Sequence, residues 1–356
     1  MKRMLTLPFD RTNIKPGDRI CVAISGGADS VALLLTLHAA NTTPRESLGV
    51  GLSAVHIHHN LRGEEANADQ QFVEDLCIGL DIPLHLHHAD IPTRVAEARA
   101  QGDPETIEEA ARNARYEFFN TLIASGHADS VLTAHTLDDQ AETVLMKLLR
   151  GAWTEGLSAI HPVVTLQKGR VLRPFLNTRR ADIESFLKSI NQSWREDSTN
   201  TDTSFTRNRV RRELLPQLHT FNPNLDQTLA NLAELAREEE TRWQTELARV
   251  LPQLLLPGKP VRGGGRAVST APGDASISIE LDRLKVLDPA LRRRVLRAAA
   301  RQFGARLSFD ETSRLLALCG FRADPTVAAR TGASLHLSNH LRADRSAREI
   351  RLFRQE

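Results

Sequence analysis

The stretch RICVAISGGADS, residues 19–30, decides the fold class. Its first half, Arg19–Ile24, is a short apolar run with β-branched residues, which predicts a buried β-strand. Its second half is a glycine-rich turn, and the apolar stretch Val31–Ala40 that follows predicts a helix. A strand that passes through a glycine turn into a helix is expected to present backbone amides to an anion.

Strand and helix signals continue to alternate up to about residue 190. Further strands are predicted at Ser53–His58, Leu84–Ala89, Val131–Ala134 and Val171–Arg173. Helices are predicted at Glu65–Leu80, Thr106–Ile123, Asp138–Arg150 and Ala181–Ile190. This alternation predicts an α/β fold with a doubly wound parallel sheet, whose ligands bind at the carboxyl ends of the strands. The loops at that edge follow Ile24, His58, Ala89 and Ala134.

The pattern changes after residue 220. Asn224 is predicted to cap a long helix that ends near Val250, and residues 254–273 are rich in proline and glycine, as linkers are. The remaining segments predict a small α+β domain. We therefore divide the chain into a first domain at 1–220, a helical and Pro/Gly-rich linker at 221–275 and a small basic domain at 276–356.

The last part of the chain concentrates positive charge. Residues 291–356 contain 14 arginines and six acidic residues, a pattern typical of a polyanion-binding surface. Arg294, Arg297 and Arg301 share one helical face and are expected to contact RNA phosphates. The alternative is that these arginines pair with acids such as those at 238–240 and are structural.

The composition indicates a folded protein of a reducing compartment. Apolar residues make up 41% of the 356 residues, and no apolar run approaches the roughly 20 residues of a membrane helix. The N-terminus has no secretory signal pattern. The three cysteines are far apart and form neither a CxxC pair nor a zinc pattern. We expect a cytoplasmic protein without a membrane partner.

The first candidate site is the turn after the first strand. Its residues are Ser25, Gly26, Gly27, Ala28, Asp29 and Ser30. The glycines allow close backbone approach to phosphate, and the helix N-terminus favours an anion. Asp29 would repel phosphate unless Mg²⁺ bridges the two. The motif is neither GxxxxGK[ST] nor GxGxxG, and the alternative is a turn in which Asp29 is a local cap.

The second candidate site is HIHHNLR, residues 56–62, at the end of the second predicted strand. Strand alternation places His56 and His58 on one face and His59 on the other. No carboxylate or cysteine completes a zinc set nearby, so a nucleotide contact or a proton acceptor is the better interpretation. Packed or solvated histidines remain the alternative.

The third candidate site is HTLDDQAET, residues 135–143. Asp139 and Glu142 are three residues apart and share a helix face at the carboxyl end of a strand. These acids are expected to hold Mg²⁺ or to orient an incoming amine. The alternative is helix capping by Thr136 or Asp138 with acids in the first turn.

The ordered motifs resemble those of a known family. SGGADS is similar to the pyrophosphatase loop of N-type ATP pyrophosphatases, the PP-loop superfamily. The order of SGGADS, HIHHNLR and several further motifs resembles that of the tRNA(Ile)-lysidine synthetase family. These are EAARNARY at 109–116, TAH at 133–135 with DDQAET at 138–143, LRG at 149–151, RPFL at 173–176, WREDSTN at 194–200 and RNRVR at 207–211. The resemblance covers residues 18–220 strongly and the tail only loosely.

The resemblance implies a reaction. A family member adenylates O2 of the wobble cytidine in the CAU anticodon of an isoleucine tRNA and releases pyrophosphate. The ε-amine of free L-lysine then displaces AMP at C2. The resemblance implies that Ser25–Ser30 bind ATP, with His56 and His58 beside them. It implies that Asp29 and Asp139 bind Mg²⁺.

The resemblance also assigns roles to other residues. It implies that Asp29, His135, Asp139 and Glu142 are catalytic. It implies that Arg112, Arg115, Arg207, Arg209 and Arg212 contact lysine or tRNA, the last three through phosphates. Trp153 stands where the family is expected to carry a glycine-rich loop. A homodimer is left open.

Two alternatives to this function remain. The first is another PP-loop tRNA-modifying enzyme, such as a 2-thiocytidine synthetase, which would use paired cysteines that this chain lacks. The second is a catalytically inactive nucleotide- or RNA-binding homologue. The acids at positions 29, 138, 139 and 142 argue against it.

Overall fold

The computed structural model describes residues 7–43, 47–61, 63–102, 104–196, 206–258 and 275–354. The chain forms two compact units, Met1–Glu238 and Glu239–Glu356. The division between them falls inside a long helix, Leu225–Leu254, whereas the sequence places domain boundaries at 220 and 275. Each unit has its own hydrophobic core.

The first unit is built on a six-stranded sheet. Its strands are β1 Arg19–Ala23, β2 Gly51–His58, β3 Leu84–His88, β4 Ser130–Leu132, β5 Val163–Thr165 and β6 Arg170–Leu172. The spatial order is β3-β2-β1-β4-β6-β5. All neighbours pair in parallel except β5 and β6, which pair antiparallel. The predicted doubly wound α/β fold is confirmed, and the sheet is mixed because it carries one antiparallel edge strand.

Helices and short connections complete the first unit. They are α1 Ala28–Thr42, α2 Glu64–Gly79, α3 Ile91–Ala100, α4 Ile107–Ala124, α5 Leu137–Leu149, α6 Thr154–Leu157, α7 Arg180–Ser189, α8 Thr206–Arg209 and α9 Leu215–His219. A π-helical turn, Val210–Leu214, joins α8 to α9, and α10 is Leu225–Leu254. π-Helical turns are rare in proteins, and those that occur often lie at functional sites.

Strand alternation distributes the helices over both faces of the sheet. On one face, Ile20, Val22 and Ile24 belong to a core that also contains residues of α1, α2 and α7. On the other face, Cys21 and Val55 pack with α4. Successive side chains of a strand point to opposite faces, so β1 contributes to both cores. Consequently α1 and α4 approach the carboxyl edge of the sheet from opposite sides.

The second unit contains an antiparallel sheet and three helices. Its strands are β7 Leu256–Pro257, β8 Ser276–Glu280, β9 Ser334–His336, β10 Leu341–Arg345 and β11 Glu349–Arg354, in the order β7-β8-β11-β10-β9. Its helices are α11 Leu281–Lys285, α12 Pro289–Arg301 and α13 Phe309–Leu318. The predicted small α+β fold is confirmed. Most of the Pro/Gly-rich stretch at 254–273 lies outside the described residues, which omit 259–274.

Arg294 of α12 is held inside the second unit. Its Nη1 lies 2.9 Å from Glu240 Oε2, and its guanidinium stacks over the ring of Trp243 at 4.5 Å from the ring centre. Both partners of the ion pair are largely buried. This pairing with Glu240 is the one that the structural interpretation predicts for Arg294.

The predicted strands and helices of the first unit are confirmed with ends shifted by a few residues. The predictions omit the short helices α6, α8 and α9, and they also omit helix α3 and strand β5. Neither α3 nor β5 has a strong period: α3 follows Asp90, which caps it by accepting from the Thr93 amide at 3.3 Å, and β5 has three residues. In the described part of the chain, no helix combines the length and the apolar character needed to cross a membrane.

Candidate active site

The SGGADS turn joins β1 to α1 and forms an open helix N-terminus. Gly26 has φ 88°, a left-handed conformation that favours glycine, and a Cβ there would lie 3.3 Å from the Arg195 side chain. Gly27 is the N-cap, and no side chain caps the helix. Ser30 Oγ accepts from the Ser25 amide at 3.1 Å and donates to the Gly27 carbonyl at 2.9 Å. The serines therefore shape the turn, and the first amides of α1 remain suited to an anion.

Arg195 fixes the glycine turn from outside. Its amide donates to the Gly26 carbonyl at 2.9 Å, and its Nε donates to Asp69 Oδ1 at 2.8 Å. Arg195 belongs to the WREDSTN motif, of which residues 197–200 lie outside the described part. The motif is part of the family resemblance, but no role is predicted for Arg195 from the sequence.

Asp29 lies in the first turn of α1 and has one engaged and one unengaged oxygen. Oδ2 accepts from Arg180 Nε at 3.2 Å, whereas Oδ1 is buried and has no hydrogen-bond partner among the described residues. Burial raises the pKa of this carboxyl to about 6, and the nearby Arg180 charge only partly opposes that effect. A buried carboxylate oxygen without a partner is expected to bind a cation or a donor.

Asp139 combines a capping role with ion pairing. Thr136 is the N-cap of α5, and Asp139 Oδ2 accepts from its amide at 2.9 Å and its hydroxyl at 3.1 Å. Oδ1 accepts from Arg207 Nη2 at 3.0 Å and Arg180 Nη2 at 3.2 Å. Burial alone would raise the pKa of Asp139, but these guanidinium charges outweigh it and lower the pKa to about 2. The capping alternative is therefore correct for Thr136, and Asp139 is ionised as well as structural.

Glu142 lies one turn further along α5 and is the most buried acid of the site, at 1% exposure. Arg207 Nε donates to Oε2 at 2.7 Å, and Arg211 Nε donates to Oε1 at 2.5 Å. Arg211 lies on the π-helical turn, and its Nη2 also reaches Oε2 at 3.1 Å. Both oxygens of this carboxylate are thus engaged by guanidinium groups.

Three carboxylates and three arginines form one connected cluster, which we call the paired cluster. Its members are Asp29, Asp139, Glu142, Arg180, Arg207 and Arg211. Arg180 and Arg211 have no role among the sequence-based predictions. A signal for Arg180 exists, because it is the first residue of α7, where a cation is unfavourable next to the helix dipole and needs another partner.

His135 follows β4 beside the paired cluster. Thr133 Oγ1 lies 3.0 Å from its Nδ1. Burial lowers the pKa of His135 to about 3; the Asp139 charge opposes this, and the charges of Arg173, Arg207 and Arg115 reinforce it. His135 is therefore neutral at physiological pH and acts as a hydrogen-bonding group.

The two histidines of β2 differ in their partners. His56 Nδ1 lies 2.9 Å from the Ile24 carbonyl, and burial lowers the His56 pKa, so this neutral ring holds the end of β1. His58 Nδ1 accepts from the Asn60 amide at 3.3 Å, whereas its buried Nε2 has no partner among the described residues. The ring of His58 lies 5.0 Å from that of His88. Of the two, His58 is the better placed to donate to a ligand.

The predicted lysine- or tRNA-contacting arginines fall into separate places. Arg207 points into the paired cluster, whereas Arg209 is exposed and lies 3.5 Å from Glu213. Arg212 is exposed. Arg112 and Arg115 lie on α4, and the charge of Arg115 reaches His135. Only Arg207 therefore joins the predicted catalytic acids.

The fold and the site together define a class of protein. Residues 2–218, more than half of the chain, match the PP-loop domain family. The U34-tRNA thiolase NcsA of Methanococcus maripaludis has a similar fold, with a TM-score of 0.52 and 14% identity over 64% of this chain and 75% of that one. The first unit thus has the PP-loop fold.

Similar curated proteins define the family within this class of PP-loop proteins. A tRNA(Ile)-lysidine synthase of Geobacter sulfurreducens is 34% identical over 100% of this chain and 69% of its own length. One of Nitratidesulfovibrio vulgaris is 36% identical, covering 83% of this chain and 82% of that protein. The chain belongs to the tRNA(Ile)-lysidine synthase family.

Several relatives are longer than this chain. The tRNA(Ile)-lysidine synthase of Solibacter usitatus is 39% identical over 80% of this chain but only 56% of that protein. The chain spans about half the length of this and of some other curated relatives that it matches.

Proposed function

We propose that this chain is an ATP-dependent ligase that joins free L-lysine to C2 of the wobble cytidine in the CAU anticodon of tRNA(Ile). In the first step, cytidine O2 attacks the α-phosphorus of ATP and pyrophosphate leaves. In the second step, the lysine ε-amine attacks C2 and AMP leaves. The observation that carries the proposal is that Arg180 joins Asp29 at the glycine turn to Asp139 on α5, which brings two motifs of the family to one place.

The glycine turn is the proposed ATP site. Uncapped amides at the start of α1 and the hydroxyl of Ser25 suit phosphate oxygens. His58 would donate from Nε2 to the nucleotide, because this buried nitrogen has no protein partner in the described residues. His56 would act indirectly by holding Ile24 at the end of β1.

Magnesium fits the residues of this site in part. Asp29 Oδ1 is buried and without a partner, as expected of an oxygen that awaits a cation. Asp139 is a ligand only if Arg180 and Arg207 release its Oδ1. No group of three or more His, Cys, Asp or Glu side chains in the described residues could hold a metal alone, so phosphate and water oxygens would complete the shell. Bound magnesium would neutralise charge on the leaving pyrophosphate.

Asp139, Glu142 and His135 are proposed to serve the lysine step. The two carboxylates supply negative charge for an ammonium or amine group, at present neutralised by arginines. His135, neutral because of burial and the surrounding arginines, can hydrogen-bond the reacting base without adding charge. The exposed Arg209 and Arg212, with the exposed basic residues of 276–356, are proposed to contact tRNA phosphates.

The location and assembly of the chain are also proposals. We propose that it works in the cytoplasm, where tRNA is available, and that a homodimer is compatible with the chemistry. The proposed domain roles are catalysis by 1–220, connection by 221–275 and tRNA binding by 276–356.

A thiolase-like activity is the less favoured candidate. The three cysteines are all buried in hydrophobic surroundings. Burial raises the pKa of Cys21 to about 12 and of Cys77 to about 11, which is the opposite of an activated thiolate. An inactive homologue is less favoured because the acids of the site are present and connected.

Nucleoside mass spectrometry tests the proposal. Purified protein is incubated with lysine, Mg-ATP and a tRNA(Ile) transcript with a CAU anticodon, and the digested RNA is analysed for lysidine. We expect lysidine only when all three substrates are present, and none in a transcript whose wobble cytidine is replaced by uridine. Unmodified RNA with folded protein would rule out the ligase, and pyrophosphate exchange into ATP would then distinguish another PP-loop enzyme from an inactive homologue.

A further inference from the structure

Three arginines, two of which exert their charge on His135, have no carboxylate partner among the residues that the structure describes. They are Arg112 and Arg115 on α4, and Arg173 immediately after β6; we call them the unpaired cluster. Arg112 stacks over the ring of Tyr116 at 5.0 Å, and Arg173 Nη2 donates to Tyr116 Oη at 2.7 Å. Arg173 Nη1 also donates to the His161 carbonyl. Among the described residues, none of the three forms an ion pair.

Arg173 is the inner member of this cluster. It is 4% exposed, and its buried Nε has no hydrogen-bond partner in the described part of the chain. Arg115 is partly exposed and Arg112 is exposed, so the guanidinium groups extend from the interior to the surface. A buried donor on a cation is expected to have an acceptor, and an anion would supply it.

The electrostatics of the unpaired cluster also favour a bound anion. Burial lowers the pKa of Arg173 and of Arg115, and the neighbouring Arg112 charge lowers both further. The charges of Arg115 and Arg173 also reach His135. Each guanidinium stays ionised in proteins, so the cluster holds uncompensated positive charge, which a bound anion would stabilise.

We propose that Arg112, Arg115 and Arg173 form a phosphate-binding site that receives a backbone phosphate of the substrate RNA next to the base that is modified. The inference rests on the proposed function. It adds Arg173 to the substrate-binding residues and gives the three arginines one common ligand.

The position of the site favours RNA over the nucleotide triphosphate. The glycine turn opens α1, which packs on one face of the sheet, whereas α4 packs on the other face. The two anion sites thus approach the carboxyl edge of the sheet from opposite sides, with His135 after β4. A base extruded into this edge would carry its own phosphate to the α4 side while ATP occupies the α1 side.

The side chains suit a phosphate diester. Arginine binds phosphate through two parallel N–H groups, and Arg173 is held in place by Tyr116 and the His161 carbonyl. Arg115 is the member best suited to substitution because no hydrogen bond or ion pair within the described residues holds its guanidinium group. Its truncation is therefore expected to remove ligand contacts with little loss of protein contacts.

A protein–RNA double-mutant cycle tests the inference. Full tRNA(Ile) is assembled by ligation with one neutral methylphosphonate linkage at each position flanking the wobble cytidine, and its affinity is measured. We expect one linkage to lower affinity for the parent by about tenfold, and the same linkage to cost Arg115→Gln less than twofold, because the partner charge is already gone. Arg112→Gln, at an exposed position, should show a weaker form of the same coupling.

Arg99→Gln on α3 is the matched control. Arg99 is exposed, lies in the same unit and undergoes the same charge change. It should retain the full penalty of the neutral linkage. Arg173→Lys keeps the charge and loses the planar fork, so it should bind unmodified tRNA more weakly than the parent while remaining folded by circular dichroism.

Two results would overturn the inference. If Arg115→Gln weakens ATP binding about tenfold in the absence of RNA and leaves every linkage penalty unchanged, the ligand is a nucleotide phosphate. If both ATP affinity and all linkage penalties match the parent, the arginines are structural. Failure of the proposed function is read separately, as absence of lysidine with the parent protein, because the cycle measures binding only.

Discussion

Two groups of arginines each contribute positive charge at His135, and they differ in whether carboxylates compensate that charge. Arg180, Arg207 and Arg211 share the carboxylates of the paired cluster, whereas the contacts of the unpaired cluster within the described part of the chain are with Tyr116 and the His161 carbonyl. A paired guanidinium satisfies its neighbours and holds the fold together. An unpaired one has its electrostatic need met only by a ligand. Removing members of the first group should therefore cost stability, and removing members of the second should cost affinity.

Asp29 stands between these cases, because one of its oxygens is paired and the other is not. We expect Asp29→Asn to reduce lysidine formation by about a thousandfold, since the variant loses the charge proposed to position a magnesium ion at the leaving pyrophosphate. The measurement is the initial rate of lysidine formation at saturating lysine. Asp182→Asn, an exposed acid on α7, is the control. A rate within threefold of the parent would remove Asp29 from the metal role.

Glu142 is the most completely paired acid, so its loss should have the largest effect on stability. Glu142→Gln removes the carboxylate nearest to Arg207 and Arg211 and leaves Asp139 as the remaining carboxylate beside both, so it should lower the free energy of unfolding by on the order of 3 kcal/mol. Urea unfolding at pH 7 measures it. The double variant Glu142→Gln/Arg211→Gln should recover about 1 kcal/mol, because one stranded cation is removed. Additive losses would mean that the pair is not coupled.

The sequence predicts most of the scaffold of this site and little of its pairing. Period and glycine chemistry are local signals, and they place β1, α1, β4 and α5 within a few residues of their observed bounds. The contact of Arg180 with Asp29 joins positions 151 residues apart, and no local pattern encodes it. Arg173 and Arg211 belong to motifs that can be recognised in the sequence. Whether an arginine has a carboxylate beside it depends on tertiary packing, which the motif does not encode.

Arg294 in the second unit is also an arginine that is paired with a carboxylate, that of Glu240. Arg294→Ala should lower the free energy of unfolding of this unit by about 2 kcal/mol, since it removes the cation paired with the largely buried Glu240 and the stacking on Trp243. The salt dependence of tRNA binding should stay unchanged. Thermal unfolding and binding at several salt concentrations provide the two readouts. Arg306→Ala, at an exposed position, controls for loss of charge. Unchanged stability with a shallower salt slope would place Arg294 on the RNA instead.

The raised pKa of Asp29 gives a pH-dependent test of its partial pairing. Burial raises the pKa of Asp29 in the folded protein to about 6, whereas the pKa of this group in the unfolded chain is near 3.8. The folded protein therefore binds a proton at Asp29 more tightly than the unfolded chain does. Stability from this group is thus present below pH 4 and lost as pH rises through 6. Relative to Asp29→Asn, the parent should lose about 1–2 kcal/mol of unfolding free energy between pH 4 and pH 7, after allowance for solvent screening. A constant difference would show that Asp29 is well compensated.

The smallest predicted effect separates two exposed arginines of the same segment. Arg212 is exposed, whereas Arg209 lies 3.5 Å from Glu213, one turn away. If both contact RNA phosphates, Arg212→Gln should reduce the slope of log affinity against log salt by roughly 0.7–0.9, the contribution of one released counterion. Arg209→Gln should reduce it less, because Glu213 already competes for that cation in the free protein. Equal reductions would mean that an exposed ion pair gives no protection, and no reduction in either variant would place the RNA elsewhere. A reduction larger for Arg209 would reverse the comparison, since pairing would then mark the arginine that RNA uses.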